Sequence, residues 1–159
     1  MCGIVGIAVF KDGALPTYEQ LKAMCDTIIH RGPDEEGMDI CDNVAIGMRR
    51  LSIIDLKGGS QPIFNENHSI STVFNGEIYN FRELRRNLES KGHLFKTNTD
   101  TEVIVHAYEQ YGSDFPKYLN GMFAIALHDS AMSKLFLVRD HIGIKPLYYS
   151  FNQNHIVWG

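Results

Sequence analysis

Apolar and polar positions alternate along this chain in short blocks that predict many strands and three helices. Residues 2–10 are apolar and β-branched with two glycines, and Asp12-Gly13 then signals a turn, so the chain opens with a strand. Thr17 and Gln20 have capping-box spacing, and Leu21, Met24, Cys25 and Ile28 fall on one helical face. His30-Arg31-Gly32-Pro33 should stop that helix, because Gly and Pro cannot sustain it. Short strands are predicted over 44–54 and 69–74. A second helix spans about 80–91, with Phe81, Leu84 and Leu88 inward and Gly92 closing it. A third starts at Thr99 or Asp100, where Thr99 and Glu102 have the spacing of another capping box. It carries Val103, Ile104, Ala107, Tyr108 and Tyr111 on one face. Residues 122–158 alternate strand-like segments with turns at 129–134 and 141–146. Strands outnumber helices and many adjoin as hairpin partners, which makes the fold class α+β with mainly antiparallel sheet. The last residues, Ile156-Val157-Trp158-Gly159, read as a strand that breaks off before its turn, as in a fragment of a longer protein.

Composition narrows the field. At 159 residues, 44% hydrophobic and 21% charged, the chain has the makeup of one globular domain with a real core. A net charge of −4 argues against a nucleic-acid or anionic-membrane footprint. No apolar run approaches the ~18 residues of a membrane span, and no signal peptide is recognisable. Cys2, Cys25 and Cys41 are an odd set with no disulfide framework, which fits a reducing, cytoplasmic setting. Seven histidines show no ligand spacing such as HExxH, so no metal is expected. The glycines near Cys2 lack the helix that a dinucleotide fingerprint requires.

Cys2 is the most informative residue. Removal of the initiator methionine would leave a terminal cysteine, which carries a nucleophile and a base on one residue. An α-amine with a pKa of about 7.7 is roughly one-sixth neutral at pH 7 and can take the thiol proton. The thiolate then attacks an amide carbon, and the protonated amine can donate to the departing nitrogen. Taken alone, a second-position cysteine is more simply a small buried residue opening a strand.

Its company changes that. Cys2-Gly3-Ile4-Val5-Gly6 is followed in order by His30-Arg31-Gly32-Pro33-Asp34, Arg50-Leu51-Ser52-Ile53-Ile54-Asp55, and Gly59 with Gln61-Pro62. Then come Asn75-Gly76-Glu77-Ile78-Tyr79-Asn80, Thr99-Asp100-Thr101-Glu102, and Arg139-Asp140 with Gly143 and Pro146. In this order and spacing, over essentially the whole chain, they resemble the glutaminase domain of class II glutamine amidotransferases, in the asparagine synthetase branch. The resemblance implies an N-terminal-nucleophile hydrolase fold, a four-layer αββα sandwich with two mainly antiparallel sheets, over residues 1–159.

It also implies roles. Glutamine presents an α-carboxylate, an α-ammonium and a side-chain amide, so its pocket needs a cation, an anion and an oxyanion hole. Arg50 would hold the carboxylate, and Asp100, helped by Glu77, the ammonium. Leu51, Ser52, Ile53 and Ile54 would line the substrate site, while Asn75 (side-chain amide) and Gly76 (backbone N–H) would face the oxyanion. Plainer readings stand beside these. Arg50 could be a surface ion-pair residue, as its neighbour Arg49 is expected to be. Asn75-Gly76 could be a hairpin turn, although an apolar strand precedes it and a helix follows. Asp100 could cap the third helix. Gly32-Pro33-Asp34 is expected near the pocket without a catalytic role, Arg139 and Asp140 are expected to be structural, and Cys25 belongs to the core.

The resemblance further implies L-glutamine as substrate and no cofactor for this domain. ATP and Mg²⁺ would belong to a downstream synthetase domain absent from this chain. That domain would decide the ammonia acceptor: aspartate is the leading choice, with a sugar or a natural-product precursor as alternatives. A non-catalytic, regulatory domain and a homodimer also stay open.

Overall fold

The computed structural model describes residues 2–10, 13–51 and 59–159. Asp12 of the expected turn lies outside these residues, as do Ser52, Ile53 and Ile54. In chain order the elements are β1 (Gly3–Val9), α1 (Tyr18–Thr27), β2 (Glu35–Cys41), β3 (Val44–Arg50), β4 (Ile63–Phe64), β5 (Ile70–Ile78), α2 (Phe81–Ser90), α3 (Glu102–Tyr111), β6 (Gly121–Asp129), β7 (Lys134–Arg139), β8 (Tyr149–Phe151) and β9 (His155–Trp158). One sheet has the order β2-β3-β1-β9-β8 and the other β4-β5-β6-β7. The strand pairs are antiparallel throughout.

The period-two alternation of the strands sorts their side chains into three apolar layers. On β1, Ile4 and Ala8 join Val44, Ile46 and Met48 of β3 and meet Val73, Ala124 and Ala126 of the other sheet. The residues between them, Val5 and Ile7 on β1 and Ala45 on β3, pack instead against Leu21, Met24, Cys25 and Ile28 of the first helical segment. The opposite face of the second sheet contributes Phe74, Ile78, Phe123, Ile125 and Leu127 to a third cluster with Leu84, Leu88, Val103, Ile104 and Ala107. The result is helix on sheet on sheet on helices, the four-layer sandwich that was expected. Full burial of a side chain such as Leu21 or Leu88 contributes about 1.5–3 kcal/mol.

Local signals acted where they had no competitor. The α1 capping box forms in full: Gln20 N–H donates to Thr17 Oγ1 at 3.2 Å, and Thr17 N–H to Gln20 Oε1 at 2.9 Å. Gly92, at φ +99°, follows α2 in a conformation that side chains resist. The second capping box does not form. Glu102 is buried, and its carboxylate accepts from the N–H groups of Lys96 and Thr97 at 2.7 Å each. The Thr99 hydroxyl meets Thr97 Oγ1 at 2.9 Å, so α3 begins without a side-chain cap.

Three further differences concern extent. β2 was not foreseen, because its residues are half-buried or, at Ile40, exposed along the sheet edge and show no apolar alternation. β5 runs four residues past the predicted end at 74, so Asn75 and Gly76 lie within a strand paired with β6 rather than in a turn. Arg49 is an ion-pair residue, with Asp26 at 2.7 Å and with Glu36, but it is buried rather than on the surface. Among the described residues, no helix is long and apolar enough to cross a membrane.

Candidate active site

Cys2 shares the parity of Ile4 and Ala8, and it packs at the end of the layer between the sheets. Its sulfur lies against the chain just beyond β3, where the Leu51 N–H donates to Sγ at 3.4 Å and the Leu51 carbonyl stands 3.7 Å away. The Arg31 guanidinium donates to the Cys2 carbonyl at 3.4 Å. A backbone donor on the sulfur is suited to stabilise negative charge that gathers there.

Opposite lies the edge of β5 beyond the short β4. Backbone N–H groups of Phe74, Gly76 and Ile78 turn to this edge by strand alternation. Phe74 N–H is taken by Gln61 Oε1 at 2.7 Å and Ile78 N–H by Asp100 Oδ2 at 3.0 Å. Gly76 stands between these two capped donors and lines the cavity with Asn75. A Cβ on Gly76 would sit 2.1 Å from the Met122 carbonyl oxygen, so the strand accepts only glycine there without shifting.

The charged groups come from three other places. Arg50, at 5% exposure, ends β3 and donates to Glu35 Oε2 at 2.9 Å. Burial works against the charge of Glu35, but hydrogen bonds from Ser60 and Arg50 outweigh it and hold the carboxyl below its ordinary range. Gly59 lies so close over the guanidinium that a Cβ would fall 2.2 Å from an Arg50 terminal nitrogen. Asp100, just before α3, is pushed above the usual carboxylate range chiefly by burial and further by Glu77, against the pull of backbone donors.

These groups converge on one cavity of about 280 Å³, lined by Cys2, Arg50, Leu51, Asn75, Gly76, Glu77 and Asp100. Each described residue of the expected site is present; Ser52, Ile53 and Ile54 lie outside the described residues. The size is close to the lower end of small-molecule pockets, roughly 300–1,000 Å³, and suits an amino acid. Sequence reasoning missed several wall residues: Gln61, Thr99, Thr101, Met122 and Lys145. Gln61 joins the β5 edge to the opposite wall, its amide reaching Thr101 Oγ1 at 3.4 Å. Lys145 is placed by Asp140, which accepts the backbone N–H groups of Phe123, Ile142, Ile144 and Lys145 at 2.9–3.3 Å. Arg139 donates to the carbonyls of Lys145 and Gly143, so both residues of that motif are structural, as expected.

Two antiparallel sheets stacked between helical layers, with a cysteine opening a central strand at the mouth of a cavity, define an N-terminal-nucleophile hydrolase fold. Solved structures agree. A glutamine phosphoribosylpyrophosphate amidotransferase from B. subtilis, complexed with ADP and GMP, superposes with a TM-score of 0.76 at 18% identity, over 98% of this chain and 41% of that one. A structure described as the allosteric regulatory enzyme of purine biosynthesis gives 0.78 at 20% identity, over 98% and 41%.

The family model for the glutamine amidotransferase domain matches residues 1–159, and the chain belongs to that family. Among curated relatives, asparagine synthetase [glutamine-hydrolyzing] 2 of Bacillus subtilis (strain 168) is 46% identical over 99% of this chain, and asparagine synthetase [glutamine-hydrolyzing] 2 of Oryza sativa subsp. japonica is 40% identical over 99%. The chain spans only 21% and 26% of the length of those two relatives.

Proposed function

We propose that this domain hydrolyses the side-chain amide of L-glutamine and passes ammonia to a C-terminal synthetase domain that makes asparagine from aspartate. The observation that carries the reading is the shared cavity. The Cys2 sulfur meets in it the one arrangement glutamine demands: a cation, an anion and a pair of amide donors. The glutamine-hydrolysing asparagine synthetases among the relatives, and their greater length, support the destination of the ammonia.

In this reading, removal of Met1 frees the Cys2 amine, which takes the thiol proton. The thiolate attacks the glutamine Cδ, and the charge that moves onto the amide oxygen is met by the Asn75 side chain and the Gly76 N–H. Removing one such donor typically costs about 2.7–4 kcal/mol of barrier. The Cys2 ammonium then protonates the amide nitrogen, the C–N bond breaks, and ammonia leaves a glutamyl thioester. Water, deprotonated by the same amine, attacks the thioester carbonyl, and glutamate departs as the sulfur recovers its proton. Arg50 holds the α-carboxylate, while Asp100 with Glu77 receives the α-ammonium. Leu51 lines the same cavity. The chemistry is complete with this chain's own groups, and ATP with Mg²⁺ serves the synthetase part. Three free cysteines accord with work in the reducing cytoplasm.

The test is ammonia release from glutamine by protein shown by mass spectrometry to begin at Cys2. Cys2→Ala should abolish turnover while glutamine still binds, because Arg50 and Asp100 remain. Near-normal turnover in that variant would remove the covalent mechanism.

A further inference from the structure

We propose that His93, His106 and Glu109, none of which lines the glutamine cavity, form a binding site for a zinc-class divalent transition metal. The three residues each bring one ligand atom to a cluster in which all lie within 4.8 Å of one another. His93 Nδ1 stands 3.3 Å from Glu109 Oε2, and His106 Nδ1 2.9 Å from the same oxygen. Ligands about 2.0–2.1 Å from a tetrahedral zinc ion are separated by about 3.3 Å. Two edges of such a polyhedron are thus already close to length, and Glu109, at 23% side-chain exposure, can adjust to admit the ion.

The outer contacts make the cluster more than a chance meeting. A metal-bound histidine or carboxylate is held in orientation by a partner on its far atom. Here two of the three far atoms have a hydrogen-bond partner and the third faces a carboxylate. His93 Nε2 lies 3.3 Å from Gln110 Oε1, and Glu109 Oε1 accepts from Asn65 Nδ2 at 2.8 Å. His106 is 1% exposed, and its Nε2 has no hydrogen-bond partner although it lies 3.8 Å from Glu102 Oε1. A ring nitrogen facing a carboxylate needs to carry hydrogen. Coordination of an ion by Nδ1 fixes that tautomer, as in carboxylate–histidine–zinc arrangements. Three protein ligands leave a fourth position for water. The site escapes a search by spacing because His93 comes from the loop after α2, while His106 and Glu109 sit three apart on α3. An ion there would clasp that loop to α3, beside the Glu102 carboxylate that already holds the backbone of Lys96 and Thr97.

The probe is Co²⁺ alone, titrated into the protein and followed by visible absorption, with Zn²⁺ as competitor. One equivalent should bind with the d–d bands of a four-coordinate ion, without a sulfur-to-metal charge-transfer band, and Zn²⁺ should displace it. His93→Gln and Glu109→Gln should each lose that signal with far-ultraviolet circular dichroism unchanged. Asn65→Ala should bind about 10–100-fold more weakly. Zn²⁺ should raise the melting temperature of the parent protein but not of His93→Gln. Absence of binding, a sulfur charge-transfer band, or binding that survives both ligand substitutions would overturn the proposal and leave these residues a hydrogen-bonded relay.

Discussion

Asp100 and Asp140 have the same solvent exposure, 5% each, but Asp100 is set much deeper among protein atoms. Both shape walls of the cavity, and their electrostatics run in opposite directions. Burial works against the charge on Asp140, but backbone donors from Lys145, Ile144, Phe123 and Gly143 outweigh it and hold the carboxyl at about 2. Burial wins at Asp100, where Glu77 adds repulsion and the backbone donors are too few to compensate. Asp140 is a satisfied anion that organises the turn carrying Lys145. Asp100 is an under-satisfied one, and an arriving α-ammonium would supply what the fold withholds. The contrast separates a structural carboxylate from the one proposed to bind substrate with no reference to the sequence motif either belongs to.

The largest expected effect comes from removing the satisfied anion. Asp140→Ala strands four backbone donors, each worth about 1–3 kcal/mol when buried without a partner. A stability loss of at least about 2–3 kcal/mol should appear as a lower urea midpoint. An unchanged midpoint would show that water replaces the carboxylate easily, and the distinction from Asp100 would weaken.

The complementary variant should split stability from function. Asp100→Asn keeps an acceptor for the Ile78 N–H and removes a charge that the fold disfavours. The ligand-free protein should gain about 0.5–1 kcal/mol at neutral pH, while KM for glutamine rises on the order of tenfold to a hundredfold with a smaller change in kcat. A fall in melting temperature together with an unchanged KM would mean that Asp100 serves the fold, as Asp140 does.

A smaller effect lies in pH dependence, and here the two carboxylates predict opposite signs. The depressed Asp140 contributes stability that is present above the ordinary carboxylate range and is lost as pH falls toward about 2. The raised Asp100 favours the fold while protonated, and that contribution is lost as pH rises through its elevated value. In the proposed reading glutamine binding needs the ionised Asp100, so KM should climb as pH drops through the same window and should stay flat in Asp100→Asn. A KM for the parent protein that is level across that window would put the ammonium elsewhere.

How much of this was legible in the sequence depends on how local each interaction is. The α1 cap uses residues three apart and nothing else, so Thr17 and Gln20 announce it. Thr99 and Glu102 have the same spacing, but burial gives the Glu102 carboxylate to Lys96 and Thr97, an outcome that depends on how α3 packs. β2 pairs with β3 through a two-residue hairpin at Asp42-Asn43, but as an edge strand it carries no apolar alternation in residues 35–41. In the site, Cys2, Arg50, Asn75, Gly76, Glu77 and Asp100 were readable through ordered motifs and through the charges glutamine presents. Gln61 stood in one of those motifs, but its role was not readable, because its work is to occupy a strand-edge N–H thirteen residues away, and nothing in its own neighbourhood signals that.

The central claim is that the cavity reads both α-charges of glutamine at its far end and so registers the amide carbon against the Cys2 sulfur. The most direct test compares kcat/KM for glutamine, for asparagine and for a simple primary amide without α-charges, in the parent protein and in Arg50→Ala and Asp100→Asn. Asparagine is one methylene short of satisfying both ends, and a misplacement of about 1 Å can cost on the order of a hundredfold in rate. The account predicts a strong preference for glutamine that narrows sharply in either variant, with the two substitutions non-additive because one broken end already spoils the register. Equal hydrolysis of all three amides by the parent protein would contradict it.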